Sequence, residues 1–161
     1  MRKDVTEDRA VVAEILNRAE MVTLALVDED GPYSVPVNAA YADGVLYFHS
    51  SRKGRKAEAL RLAAALSESG DRRGRVAFSA AVDLEKKTGG LACQWGYTFR
   101  SVLGSGMVRF IEPRGDKVAA LNSIMRKHAG RDDFPYDEGI LAKTLVAAID
   151  VDRATARLKL T

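Results

Sequence analysis

The run from Trp95 to Ile111 places the tightest limit on the fold, because it mixes aromatic and β-branched residues with Gly96, Gly104 and Gly106. Such a mixture predicts a long strand that is bent or bulged at its glycines. Curvature of that kind predicts a barrel in place of a flat sheet.

The preceding sequence supplies the other walls. Val22, Leu24 and Leu26 alternate with Thr23 and Ala25 until Asp28-Glu29-Asp30-Gly31-Pro32 interrupts them with turn chemistry. Tyr33 to Tyr41 alternates again through Val35, Val37 and Ala39, and Asp43-Gly44 separates it from Val45-Leu46-Tyr47-Phe48-His49. Three strands in antiparallel meander are expected. Pro36 cannot donate a ladder hydrogen bond, so its position faces an edge, a bulge or a ligand, an unremarkable edge proline being equally consistent. Further strands are expected at Val76 to Phe78, Thr144 to Val151 and Ala156 to Leu160.

Three helices are expected around these strands. Thr6 caps the first, whose Val11, Ile15 and Ala19 recur at helical spacing beside Val12 and Leu16. Ala57 to Leu66 is rich in strong helix formers, and a helix capped by Asp116 runs to His128 with Ala120, Leu121, Ile124 and Met125 on its apolar side. Ser67 to Arg75 and Glu85 to Gly90 read as polar surface connections. With no repeat or linker, the 161 residues are expected to form a single α+β domain, a predominantly antiparallel split β-barrel with flanking helices.

Several function classes are excluded at this stage. A net charge of +3 is too small to mark a nucleic-acid binder, and the basic residues occur without a groove-reading motif. No segment approaches the roughly 18–20 apolar residues that span a bilayer, and the charged start, Met1 to Ala10, lacks a signal core. Cys93 is the one cysteine, and with only His49 and His128 no zinc-ligand spacing exists. A cytoplasmic protein without a metal site is expected. Cys93 itself reads as a small buried hydrophobe.

The segment most able to carry chemistry is Tyr47-Phe48-His49-Ser50-Ser51-Arg52-Lys53-Gly54-Arg55-Lys56, where a strand ends, hydroxyls and cations follow, and a helix begins. A phosphate dianion needs donors from several directions, and Arg forks, Lys point charges, Ser hydroxyls and a helix start supply them. The same residues also fit a solvated basic helix entrance. His49 is either a proton donor or ligand contact, or a strand-end histidine with a structural hydrogen bond. Trp95, Tyr97 and Phe99 either wall a flat substrate or pack a strand or dimer surface, packing being the preferred reading, and His128, Asp132 and Asp133 read as polar residues beyond a helix end.

Pro32-Tyr33-x-Val35-Pro36-Val37-Asn38, Asp43-Gly44-Val45-Leu46-Tyr47-Phe48-His49-Ser50 and Gly54-Arg55-Lys56 together resemble the pyridoxamine-phosphate-oxidase-like split-barrel flavoproteins, above all their Nim-type nitroimidazole-reductase branch. The resemblance continues through Cys93-x-Trp95, the Tyr97 to Gly106 segment and Gly130 to Pro135. It implies a homodimer binding FMN in clefts between subunits. On matching positions, Arg55 and Lys56 are the best phosphate ligands and Ser50 and Lys53 their helpers. Val37, Asn38 and Ala39 border the flavin ring, Tyr47, Phe48 and His49 form the adjoining strand, and Arg100 and Ser101 approach from a neighbouring strand or subunit.

The expected function is that of an FMN-dependent, nitroreductase-like oxidoreductase passing electrons from a reduced nicotinamide or other donor to a small aromatic or nitro-containing acceptor. A haem-binding split barrel, using His49 or His128, and a flavin-binding redox module without turnover are the alternatives. Pyridoxamine-phosphate oxidation itself is disfavoured because the C-terminal substrate-phosphate signature is not recognised.

Overall fold

The computed structural model describes residues 4–160. The reading of the first residues falls partly on 1–3, outside the described residues. In chain order the elements are β1 (Val5–Thr6), α1 (Arg9–Arg18), β2 (Val22–Asp28), β3 (Gly31–Val37), β4 (Ala39–Ala42), β5 (Val45–Ser51) and α2 (Arg55–Glu68). They continue with β6 (Arg75–Lys87), β7 (Gly96–Phe110), α3 (Arg114–Ala129), α4 (Glu138–Lys143) and β8 (Thr144–Lys159).

One antiparallel sheet runs β3-β2-β6-β7-β8-β5-β4, with β1 paired to β8. The two ends of this path, β3 and β4, are consecutive in the chain and separated only by Asn38. A sheet whose first and last strands must lie one residue apart has to curl back on itself, so it forms a barrel split along the β3/β4 seam. The expected α+β split barrel is therefore present.

Alternation fills the interior. Leu24, Leu46, Phe48, Val76 and Ile149 are at most marginally exposed and meet Ile15 and Leu16 of α1 and Leu60 of α2. Burying side chains of this size contributes roughly 1.5–3 kcal/mol each. A second, smaller cluster lies outside the barrel wall, where Ile111, Ala120, Val146 and Ala148 pack with Val45, Tyr47 and Leu121 beneath α3.

The curvature read from the glycines is concentrated at Gly106. The β7/β8 register shifts between Ser105 and Gly106, which face Arg153 and Val151, so Asp152 bulges out of the ladder. A methyl group on Gly106 would lie inside contact distance of the Asp150 carbonyl on the facing strand. The bulge and glycine also explain why two expected C-terminal strands are one continuous β8.

Other expectations are corrected. Val76 to Phe78 extends into a thirteen-residue strand that absorbs Glu85 to Lys87, because β7 is long enough to pair with it past a shift between Val82 and Glu85. Asp8 caps α1 by accepting from the Ala10 N–H, while Thr6 lies in β1 and its hydroxyl accepts from the Asp8 N–H. α3 starts at Arg114, with Asp116 in its first turn, where a carboxylate favours the helix dipole. The short β1 and α4 were not anticipated, having too few residues for periodicity to show.

Both seam strands have blunted edges. Asp28 and Gly31 close a two-residue turn, which makes Pro32, Ser34 and Pro36 the residues whose backbone faces outward on β3. Two of those three lack an N–H, which resolves Pro36 as an edge proline. On β4 the Asn17 side chain donates to the Tyr41 carbonyl and accepts from its N–H, both at 3.0 Å. Lys127 donates to the Ala39 carbonyl at 2.6 Å and to the Leu16 carbonyl, near the end of α1, at 2.9 Å.

Burial lowers the Lys127 pKa from the ordinary 10.5 to about 8. Between those values the unfolded chain holds the proton and the folded chain does not, so this group's contribution to stability rises with pH from about 8 to 10.5. Urea midpoints at pH 7.5 and 10 are expected to show that rise for wild type relative to Lys127→Met, and identical pH dependence would contradict the assignment.

Candidate functional site

The site is built on β5 and the start of α2. Strand alternation sends Leu46, Phe48 and Ser50 into the barrel and leaves Val45, Tyr47 and His49 on the outer wall. Phe48 is fully buried and Ser50 is buried, so of these two only the backbone is available to a ligand outside the wall. Val37 and Ala39 are likewise buried, and Asn38 between them is exposed at the seam.

At the end of β5 the chain turns through Ser51-Arg52-Lys53-Gly54, and the Ser51 hydroxyl accepts from the Lys53 N–H at 3.2 Å. Gly54 takes φ +96°, a conformation other residues rarely adopt, and nothing lies within 4 Å of where its Cβ would be. It is the N-cap of α2 and offers no side-chain oxygen to the helix's first N–H groups. α1 and α4 begin on Asp8 and Asp137, each of which accepts a backbone N–H, whereas α3, like α2, starts without a side-chain cap. The open start of α2 is a place where an external anion can take the cap's role.

The four cations of the turn divide into two pairs. Arg52 donates to the Ala142 carbonyl and to Glu112, both at 3.1 Å, and thereby ties the turn to the regions around α3 and α4. Arg55 forks onto Asp28, Nε at 2.5 Å and Nη2 at 3.2 Å, with its carbon centre 4.6 Å from the Tyr33 ring centroid. Lys53 is exposed and Lys56 half-buried, and neither has an ion-pair partner among the described residues. These two remain free to meet an anion.

His49 completes this corner. Burial lowers its pKa, and the charges of Lys56 and of His128, near the end of α3, lower it further. At neutral pH the imidazole is thus neutral, able to donate at one nitrogen and accept at the other.

Arg100 and Ser101 lie elsewhere in the same chain. β5 is flanked by β8, whose Ala147 to Asp150 face Met107 to Phe110 of β7, whereas Arg100 faces Leu158. Eight residues of strand separate Arg100 from Val108, roughly 25 Å. Arg100 instead donates to Glu14 at 2.8 Å and lies 4.0 Å from Asp83, and Arg18 joins the same carboxylates. Arg18 first, then Arg100, hold the Glu14 carboxyl below its ordinary range.

Cys93 is exposed, contrary to the buried reading, since it sits in the short 3-10 turn at the tip of the β6–β7 arm, beyond the barrel core. Trp95 and Tyr97 on that arm are also substantially exposed, and the Trp95 indole donates to the Gly89 carbonyl. Asp28 and Tyr33, which engage Arg55, were read only as turn and strand residues.

A cavity of about 880 Å³ lies at the opposite end of β5, among Glu7, Arg9, Tyr41, Asp43 and Arg153. Two of its other carboxylates are already neutralised, Asp150 by Arg109 and Asp152 by Arg75. The open helix start and unpaired lysines make the β5–α2 corner the better anion site. Among the described residues no helix is long and apolar enough to cross a membrane.

A family model described as pyridoxamine 5'-phosphate oxidase matches residues 8–158. Among solved structures, a candidate 5-nitroimidazole antibiotic resistance protein from Bacteroides thetaiotaomicron shares 27% identity at a TM-score of 0.77, covering 94% of this chain and 84% of its own. A flavocytochrome from Azotobacter vinelandii superposes at 0.80 with 16% identity, over 100% of this chain and 73% of its own. An FAD and haem binding protein from Mycobacterium smegmatis does so at 0.80 with 17% identity, over 99% and 75%. The last two likenesses establish the fold alone. Comparison with the curated proteins finds no match.

Proposed function

This chain belongs to the pyridoxamine 5'-phosphate oxidase-like family, and from that premise we propose that it is an FMN-binding oxidoreductase whose flavin phosphate sits at the start of α2. The observation that carries the reading is the open α2 N-terminus beside two unpaired lysines, a donor set that fits a phosphate dianion. When bound, a flavin supplies the redox chemistry, taking electrons from a reduced nicotinamide or other donor and giving them to a small aromatic or nitro-containing acceptor.

The chain's own residues bind, orient and hold protons. The first N–H groups of α2, with Lys53 and Lys56, neutralise the phosphate. The backbone of β4 and β5, with Tyr47 on the outer wall, borders the flat ring, and Asn38 stands at the seam beside it. His49 offers a neutral imidazole to the ligand or to a proton in transit. Arg100 is committed to Glu14, and Ser101, too distant within one chain, is supplied by a second copy, so a homodimer with flavin at the subunit interface is part of the proposal. The exposed Cys93 thiol fits a reducing, cytoplasmic compartment.

The test is the visible spectrum of the purified protein after reconstitution with FMN. Two flavin bands that bleach on reduction by a nicotinamide are expected. A colourless protein after reconstitution overturns the reading, and one intense band restored by haem selects the haem alternative. Bound flavin that no nicotinamide reduces leaves a redox-sensing module.

A further inference from the structure

We infer that the cavity between the start of α1, the β4–β5 turn and the β8 bulge is a second binding site, built for a small zwitterion with an apolar body: an apolar α-amino acid or a short peptide. The site is independent of the flavin reading, since its walls lie at the opposite end of β5 from the α2 corner.

Two arginines point to it first. Among the described residues, every arginine except Arg9, Arg72 and Arg153 donates to a carboxylate or a carbonyl of the chain. Two of those three exceptions line this one cavity, although they come from opposite ends of the chain. Arg9 is also the first residue of α1, whose first turn carries no acidic side chain beyond the capping Asp8. A cation there opposes the helix dipole, so local electrostatics do not account for it. Arg153 follows Asp152, the residue that bulges out of the β7–β8 ladder. Bulges re-aim the side chains beside them, and this one brings Arg153 to the cavity wall.

The carboxylates supply the other half. Glu7 and Asp43 line the same cavity and likewise have no ion-pair partner among the described residues. Their neighbours Asp150 and Asp152 are paired with Arg109 and Arg75, so pairing is the rule on this wall. Opposite charges that share a cavity of about 880 Å³ without meeting one another leave room for a ligand that meets both. Small-molecule sites of roughly 300–1,000 Å³ are of the same size. A purely anionic ligand would face Glu7 and Asp43, and a purely cationic one Arg9 and Arg153. A zwitterion satisfies both sets: the guanidinium forks take a carboxylate, and the acidic pair takes an ammonium. Tyr41, Val45 and Val151 add half-buried apolar surface, and the Gly44 carbonyl accepts from the Val151 N–H at 2.9 Å, which fixes the turn to β8.

Isothermal titration calorimetry on the full chain at pH 6 tests this with L-phenylalanine, with L-phenylalaninamide, which lacks the carboxylate, and with N-acetyl-L-phenylalanine, which lacks the ammonium. Binding of L-phenylalanine at one site is expected, with each analogue about tenfold weaker, the scale of one lost charge-assisted contact. Arg153→Gln should weaken L-phenylalanine by a similar factor and leave the amide unaffected. Asp43→Asn should weaken it equally and leave the N-acetyl compound unaffected. L-Leucyl-L-phenylalanine separates the two sources: binding tighter than that of L-phenylalanine assigns a peptide, and weaker binding a free amino acid.

Absence of binding by both L-phenylalanine and the dipeptide at millimolar concentration overturns the proposal. Equal affinity for L-phenylalanine and its two analogues overturns it too, as does undiminished binding by the Arg9→Gln/Arg153→Gln double variant, which puts the ligand elsewhere. The substituted side chains are exposed, so each variant is expected to fold, and far-ultraviolet circular dichroism confirms it. None of these titrations requires flavin: their failure leaves the flavin reading standing, and failure to bind FMN leaves this site standing.

Discussion

The Lys53→Ala/Lys56→Ala variant is expected to bind FMN about a hundredfold more weakly than wild type, with a shallower dependence on salt. A hydrogen bond to a charged group contributes roughly 1.5–3 kcal/mol, and even the lower end of that range is about a factor of ten for each lysine. These two are the cations of the β5–α2 turn without ion-pair partners among the described residues, so their removal leaves mainly helix N–H groups to meet the phosphate. Arg52→Ala provides the contrast. Its guanidinium is committed to Ala142 and Glu112, so its loss should leave the salt slope at the wild-type value. Flavin fluorescence titrations at several ionic strengths check both statements, and an unaltered affinity in the double variant would move the phosphate away from α2.

Gly106→Ala should be the most damaging single methyl group in the barrel wall. The added carbon meets the Asp150 carbonyl of β8, a backbone atom held in the ladder, and cannot be relieved by rotating a side chain. Overpacking of this kind costs about 1–3 kcal/mol, and the upper part of that range applies where the obstructing atom is main chain. For a chain of this size that lowers the melting temperature by roughly 5–10 °C. Gly90→Ala is the control: nothing lies within 4 Å of its would-be Cβ, and an effect within about 0.5 kcal/mol is expected. Thermal melts that rank the two equally would contradict the bulge as the source of the barrel's bend.

Much of the barrel was legible because its instructions are local. The alternation in Val22 to His49 and the turn residues at Asp28 to Pro32 and Asp43-Gly44 predict hairpins from neighbouring residues alone, and β2 to β5 follow. The break at Asn38 was not legible. Tyr33 to Tyr41 keeps its alternation through that position, and only closure of the whole sheet divides it into two edge strands. The same limit applies to β6, whose polar end is held as strand by pairing with distant β7.

For the site, sequence order placed His49, Lys53 and Lys56 together because they follow one another around a single strand end. What it could not supply were partners from elsewhere in the chain. Four positive charges in a row look equivalent until Glu112 takes one and Asp28 another. Arg100 likewise looks available until Glu14, on the first helix, reaches it. Charge counting identifies the corner, and long-range pairing decides which charges there are free.

The treatment of the seam has a consequence for how the molecule behaves in company. A row of prolines on one lip, and an amide and an ammonium seated on the other, leave little bare main chain for a neighbour to zip onto. Fibre-like growth from the native state is thereby starved of a template, and crowded solutions should gel or cloud only at temperatures where the entire barrel opens.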